Sequence, residues 1–135
     1  MISVIVPAYN EENAIGDTVR KVLSILNQSS YQPIEVIVVD DGSTDNTLKE
    51  AEVAGARVIR HPHNIGYGRS LKDGIKAAAY DTIVINDADG TYPIEAIPYL
   101  IVGYQKGFDM VVGARQGKHY DESLKACDDV ISLAD

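Results

Sequence analysis

The residues best suited to chemistry are two aspartates separated by one residue, Asp87 and Asp89, with Ala88 between them. On an extended backbone, residues i and i+2 point to the same side, so both carboxylates can face one ligand. A hard divalent cation such as Mg²⁺ or Mn²⁺ takes oxygen ligands, and with two carboxylates it fills its shell from substrate phosphates. The chemistry this permits is stabilisation of charge on a departing phosphate. The same pair also suits a solvated strand-to-loop turn, and alone it does not decide between the two.

A second acidic pair, Asp40 and Asp41, ends the apolar run IEVIVV. Adjacent carboxylates there repel each other and lose solvation, so each needs donors or a ligand. One can bind the backbone of the GSTD turn, where Gly42 permits a tight bend and Ser43 or Thr44 caps the next helix; the other can accept from a nucleobase or ribose. Alternatively both serve the turn. Pro7, Tyr9, Asn10 and Glu11 combine an aromatic face with hydrogen-bonding groups, which fits either a base or ribose site or a plain helix entry. Asn64, Gly66 and Gly68 allow close backbone approach, by a phosphate or simply at a helix start. Arg69, Lys72 and Arg115 are the cations placed for a diphosphate. His61 and His63 flank a proline with no third zinc ligand nearby and read as surface histidines of a turn. Cys127 has no base beside it.

The elements that must position these loops alternate regularly. Strand-like runs occur at Ser3 to Val6, Glu35 to Val39, Arg57 to Ile59, Thr82 to Asn86 and Met110 to Val112. The near-continuous apolar character of IEVIVV indicates a strand buried on both faces, hence a parallel sheet. Between the strands, Ile15, Val19, Val22, Leu23 and Leu26 form one helical stripe, Thr47, Leu48 and Ala51 a second, and Leu71, Ile75, Ala78 and Ala79 a third. A fourth helix runs from Pro93 or Ile94 toward Tyr104, with Pro98 as an interruption. This predicts an α/β fold, an open, mainly parallel, doubly wound sheet of about five strands with flanking helices. In such sheets ligands bind beyond the carboxyl ends of the strands, where PAYNEEN, DDGSTDNT, HPHNIGYGRS, NDADGTYP and GARQGKHY lie.

Composition narrows the function classes. The chain has 135 residues, 45% hydrophobic and 24% charged, which fits one globular domain and excludes disorder. With 20 acidic against 12 basic side chains the net charge is -8, which argues against nucleic acid and anionic membrane surfaces as partners. A single cysteine and the lack of a leader-like start or an apolar run of bilayer length predict a cytoplasmic protein.

Taken together, VIVPAYNEE, VIVVDDGSTDNT, HNIGYGRSLKDGIKAA, VINDADGTYP and VVGAR, in that order, resemble the nucleotide-sugar-binding half of family 2 glycosyltransferases of GT-A fold. Within that family they look most like the polyprenyl-phosphate branch, the dolichyl-phosphate mannose or glucose synthases and their bacterial relatives. The resemblance covers residues 1–120 as a Rossmann-like donor domain and leaves 121–135 unmatched. It implies a substrate site of Pro7, Tyr9, Glu11, Val39, Asp41, Asp87, Ala88, Asp89 and Arg115. A Mg²⁺ or Mn²⁺ would sit on Asp87 and Asp89, with Thr91 where relatives often carry Gln. Asp89 and Arg115 would be catalytic. The implied reaction is inverting transfer of a sugar from a UDP- or GDP-linked donor to a polyprenyl phosphate, whose ionised oxygen needs no general base. Relatives continue into acceptor-binding elements, whereas here Leu124, Cys127, Val130, Ile131 and Leu133 suggest one amphipathic helix capped by Asp121 or Ser123. The chain would then be a truncated product, an engineered fragment or one part of a split enzyme. Its implied partners are an acceptor-binding or membrane-embedded chain and a further copy of itself, with a peripheral membrane location through such a partner. The alternatives are a noncatalytic nucleotide-sugar or metal-binding domain, and a phosphorylation receiver domain, which shares size, acidity and an acidic strand end.

Overall fold

The run Ile34–Asp40 is a β-strand whose residues from Val36 onward are all buried, as expected where helices cover both faces of a parallel sheet. The computed structural model describes residues 1–28, 30–91, 93–113 and 131–132. Its strands are β1 (Ile2–Ala8), β2 (Ile34–Asp40), β3 (Arg57–Arg60), β4 (Thr82–Ile85), β5 (Val111–Val112) and β6 (Ile131–Ser132). The helices are α1 (Ile15–Asn27), α2 (Thr47–Val53), α3 (Tyr67–Ala77) and α4 (Ile97–Gln105), and a 3₁₀ turn at Ile94–Ala96 precedes the last. Contacts divide the chain into two units, Met1–Ile94 and Glu95–Asp135.

In the first unit the strands lie side by side as β3-β2-β1-β4, all parallel. The parallel, Rossmann-like α/β fold expected from the sequence is therefore present. The order also separates the two α/β alternatives, because a receiver domain places its first strand beside its third, whereas here β2 stands between them. The chain leaves β1 toward β2 on one side and returns to β4 on the other. The crevice at this reversal, beyond the ends of β1 and β4, is where open α/β sheets bind ligands.

Helix α1 buries Ile15, Thr18, Val19, Val22 and Leu26, a stripe at spacings of three and four. Each fully buried Val or Leu contributes roughly 1.5–3 kcal/mol of hydrophobic stabilisation. Helix α3 follows its expected stripe only in part, with Leu71 and Ala78 packed against the core cluster of Ile5, Ile37 and Val39. Its buried positions are Ser70 and Gly74, Ile75 is 45% exposed, and Ala78 and Ala79 lie past its end. The reason is close approach, since a Cβ on Gly74 would lie 2.5 Å from Ile5 Cγ2 and 3.1 Å from Val39 Cγ2. With Gly74 against the sheet, its neighbour Ile75 is rotated away by about 100°. Gly74→Ala should accordingly overpack this seam and cost about 1–3 kcal/mol. The check is a lower urea midpoint at unchanged m-value.

In the second unit, α4 begins at Ile97, so Pro98 falls in its first turn, where a missing N–H breaks no helical hydrogen bond. The expected single helix from residue 93 or 94 is thus a 3₁₀ turn followed by α4. The expected fifth strand does not join the parallel sheet. Val111–Val112 pairs antiparallel with Ile131–Ser132, so these last two residues are strand rather than amphipathic helix. Short apolar runs carry too few periods to separate the two. The remainder of that predicted helix lies outside the described residues. Among the described residues no helix is long and apolar enough to cross a membrane.

Candidate functional site

Strands β1 and β2 end in register, with Ala8 opposite Asp40, so the loops that follow emerge together. They are clasped reciprocally. Asn10, in the left-handed region at φ 51°, donates its amide to Ser43 Oγ at 2.8 Å and accepts from the Thr44 amide on Oδ1 at 2.9 Å. The Glu11 amide donates to Thr47 Oγ1 at 2.9 Å, and Glu12 Oε2 accepts from the Asn46 amide at 3.1 Å. The caps expected of Ser43 or Thr44 are therefore not made. Helix α2 starts after Asn46, and both residues face the first loop instead. Thr47 also bonds Asp45, whose carboxyl is held below its ordinary value: burial opposes ionisation, but the Thr47 hydroxyl and amide and the Glu12 amide outweigh it.

The two aspartates ending β2 divide the work of holding these loops. Asp40 is buried; its Oδ1 accepts from the Ser43 amide at 3.0 Å, while Oδ2 makes no hydrogen bond and has Arg60 Nε 3.9 Å away. Asp41 turns toward the segment that leads into α3. Its Oδ1 accepts from the Ile65 amide at 3.0 Å and lies 2.8 Å from His61 Nδ1, and its Oδ2 accepts from the Gly66 amide at 3.0 Å. Burial raises the cost of ionising Asp41, yet these amides and the His61 ring outweigh it and leave its carboxyl below the ordinary range. Of the roughly four acceptor positions of a carboxylate, one remains for a ligand N–H or O–H.

Asp41 lines a cleft of about 200 Å³ together with Pro7, Tyr9, Asn64, Gly66 and Tyr67 among others. Tyr9 and Tyr67 are about half exposed at its edge, suited to lie against a planar base. Tyr67 was not among the candidates read from sequence. Its signal is an aromatic at the first position of a helix entered through Gly66, whose φ of 111° favours glycine. Val39 is brought to the same end of β2, but its side chain is fully buried against Ile5, Ile37 and the seam of α3, so only its backbone is offered to a ligand.

The acidic pair follows β4 on the other side of β1. Asn86 extends the pairing by donating its amide to Ile5 O at 3.0 Å, and its side chain bonds Asp87 O at 2.9 Å. Ala88 is buried, and its carbonyl accepts from Thr18 Oγ1 at 3.2 Å, which ties the loop to α1. Asp89 Oδ1 accepts from the Thr91 amide at 3.0 Å and the Thr91 hydroxyl at 2.7 Å, so Thr91 supports a carboxylate. Glu11 faces this pair. Its carboxyl is pushed above the ordinary 4.5 first by burial, then by the charge of Asp89, then by that of Asp45. A nearby negative charge disfavours ionisation, so a cation bound beside Asp89 would ease the strain on Glu11. Among the described residues no three of His, Cys, Asp and Glu make a ready cage. Asp87 and Asp89 carry the oxygen ligands that a hard cation takes. Arg115 lies outside the described residues.

His61 departs from its expected place. It is 5% exposed, with Nδ1 2.8 Å from Asp41 and Nε2 2.8 Å from Asp73 Oδ2 on α3.

Comparison with known proteins identifies the family. The family model described as "Glycosyl transferase family 2" matches residues 3–126. A dolichol-phosphate mannosyltransferase of Pyrococcus furiosus is 34% identical over 87% of this chain and 34% of its own length. An undecaprenyl-phosphate 4-deoxy-4-formamido-L-arabinose transferase of Pseudomonas fluorescens is 32% identical over 92% of this chain and 38% of its own. The crystal structure of Mycobacterium tuberculosis glucosyl-3-phosphoglycerate synthase with Mn²⁺, UDP-glucose and phosphoglyceric acid superposes with a TM-score of 0.66 at 31% identity, covering 79% of this chain and 40% of that one. The chain thus spans a little over a third of the length of these two curated relatives. With nearly its whole length matched by one family model, the chain belongs to glycosyl transferase family 2.

Proposed function

We propose that this chain binds the nucleotide-sugar donor of a sugar transferase that acts on a polyprenyl-phosphate-type acceptor. The observation that carries this reading is a cleft edged by Tyr9, Tyr67 and Asp41 beyond the ends of β1 and β2, with an acidic loop after β4, on the other side of β1, whose Asp89 charge is felt at Glu11. The cleft suits a nucleoside, with the remaining acceptor position of Asp41 taking a base N–H or ribose O–H. Asp87 and Asp89 suit the diphosphate through a divalent cation, and Mn²⁺ is named in the complex of the mycobacterial synthase. When bound, such a cation supplies Lewis-acid stabilisation of the leaving diphosphate.

In this reading Pro7 and the clasped loops fix the nucleoside, Thr91 and Ala88 hold Asp89 and its loop in place, and Arg115 approaches the phosphates. The lipid-phosphate acceptor rests on the two curated relatives, whose names carry dolichol phosphate and undecaprenyl phosphate. A phosphate oxygen attacking the anomeric carbon is already ionised, so positioning and electrostatics carry the step without a base.

A thermal-shift panel of UDP and GDP, each with and without Mn²⁺ or Mg²⁺, tests the donor site. At a ligand concentration about 100 times Kd the matching nucleotide should add about 2.7 kcal/mol, a rise of roughly 10 °C, when metal is present, and distinctly less without it. No rise with either nucleotide would refute the donor reading. Transfer of labelled sugar to a short polyprenyl phosphate then tests the acceptor, and binding without transfer would limit these residues to donor recognition.

A further inference from the structure

His61 joins the cleft to the body of α3. Its ring is buried between Asp41, at the end of β2, and Asp73, which immediately precedes the seam residue Gly74, with 2.8 Å at each nitrogen. Ionised carboxylates only accept hydrogen bonds, and a neutral imidazole has a single N–H. Both contacts are hydrogen bonds at once only when the ring carries two protons. Arg69 Nε donates to both oxygens of Asp73, at 3.1 and 3.3 Å, which keeps that carboxylate ionised. Asp41 receives the Ile65 amide on the same oxygen and the Gly66 amide on the other, and Asp41 and Gly66 line the cleft. One continuous chain of charge-assisted contacts thus runs from Asp73 through His61 and Asp41 to the backbone that walls the nucleoside site.

We propose that His61 is a positioning residue for nucleotide binding: as an imidazolium it fixes the orientation of Asp41 and, through it, the Ile65–Gly66 backbone, of which Gly66 lines the cleft. The ligand part of this inference rests on the donor reading above, whereas the coupling of ring to loop does not.

The charged groups facing the ring are Asp41 from β2 and Asp73 from α3, with Arg69 behind Asp73. Arg60 of β3 stands against the neighbouring Asp40. The Asp41 hydrogen bond raises the ring above its ordinary 6.5, burial opposes it, and Asp73 raises it further. Because the folded value is the higher one, the stabilisation is complete below pH 6.5 and is lost as pH rises through the folded value. Above it, one of the two contacts sets lone pair against lone pair, and Asp41 or Asp73 loses its donor.

The test uses the whole chain, with ring and amide signals followed by NMR from about pH 6 to pH 9 and with UDP and GDP affinities measured with Mg²⁺ over the same interval. Both ring nitrogens should be protonated at neutral pH, and the Ile65 and Gly66 amides should shift with the midpoint of the ring. Affinity for the nucleotide that binds should fall about tenfold across that midpoint, the loss of one charge-assisted hydrogen bond. His61→Gln should bind about tenfold more weakly at neutral pH, with no pH dependence over this interval. Asp73→Asn, which keeps the ring in place, should move the pH profile of affinity to lower pH while preserving tight binding at its acid end, a displacement that a purely structural role would not give. The proposal is overturned if the ring carries one proton at neutral pH, if the two amides ignore it, or if His61→Gln folds and binds as the parent does. Nucleotide bound equally on both sides of the midpoint also overturns it while leaving the donor reading intact. Amides that follow the ring in a chain that binds neither nucleotide refute the donor reading and support the coupling.

Discussion

Gly42→Ala should destabilise the protein by roughly 4 kcal/mol, the sum of backbone strain and a clash that no side-chain rotation relieves. Gly42 sits at φ 76°, and a Cβ there would lie 2.4–2.6 Å from His63 C, His63 Cα and Asn64 N, all backbone atoms. To make room, the loop between β3 and α3 must retreat, and the Ile65 and Gly66 amides would leave Asp41. Gly90 is the internal control. It has the same φ of 76° but nothing within 4 Å of the added methyl, so Gly90→Ala should cost only the strain, about 1–2 kcal/mol. Urea unfolding of the two variants beside the parent measures both. Equal losses would show that the loops do not press on each other at Gly42.

Asp89→Ala should remove at least about 100-fold of metal-dependent nucleotide affinity, close to 2.7 kcal/mol of ligand-induced stabilisation, while metal-independent binding in the cleft survives. A second readout needs no ligand. Burial and Asp89, in that order, hold Glu11 above 4.5, so Asp89→Ala should move the Glu11 titration down toward that value without reaching it, since the burial contribution stays. Asp89→Asn separates charge from scaffolding, because an amide oxygen still accepts from the Thr91 amide and hydroxyl. It should reproduce both the affinity loss and the Glu11 shift. A metal-dependent shift in melting temperature that persists in Asp89→Ala would take the cation away from this loop.

What the sequence disclosed follows from the range of the interactions involved. The β2 strand was legible because burial on both faces writes itself into consecutive residues, and α1 because its stripe repeats over three turns. The loops carrying Pro7, Asp41, Asp87 and Asp89 were legible because strand alternation assigns them all to one sheet edge. His61 was misread because its partners stand 20 and 12 residues away, where no local pattern reaches. Ser43 looked like a helix cap by composition, yet its hydroxyl oxygen accepts a hydrogen bond from the amide of Asn10, 33 residues earlier. The orientation of α3 was legible only in part for a related reason. Glycine adds nothing to an apolar stripe, yet Gly74 determines which side of α3 can approach Ile5 and Val39. The destination of β5 depended on a two-residue pairing with Ile131–Ser132, too short to leave a period.

The reciprocal clasp between Asn10, Glu11 and Glu12 on one side and Ser43, Thr44, Asn46 and Thr47 on the other has a consequence for how these segments can change. Asn10 and Thr44, or Glu12 and Asn46, meet in the folded chain although more than 30 residues part them, so replacements in the two loops will be epistatic. A loop exchanged alone arrives without its counterpart and strands backbone donors at the rim. Recombination at this rim therefore calls for exchanging the Pro7–Glu12 and Asp40–Thr47 segments as a matched cassette.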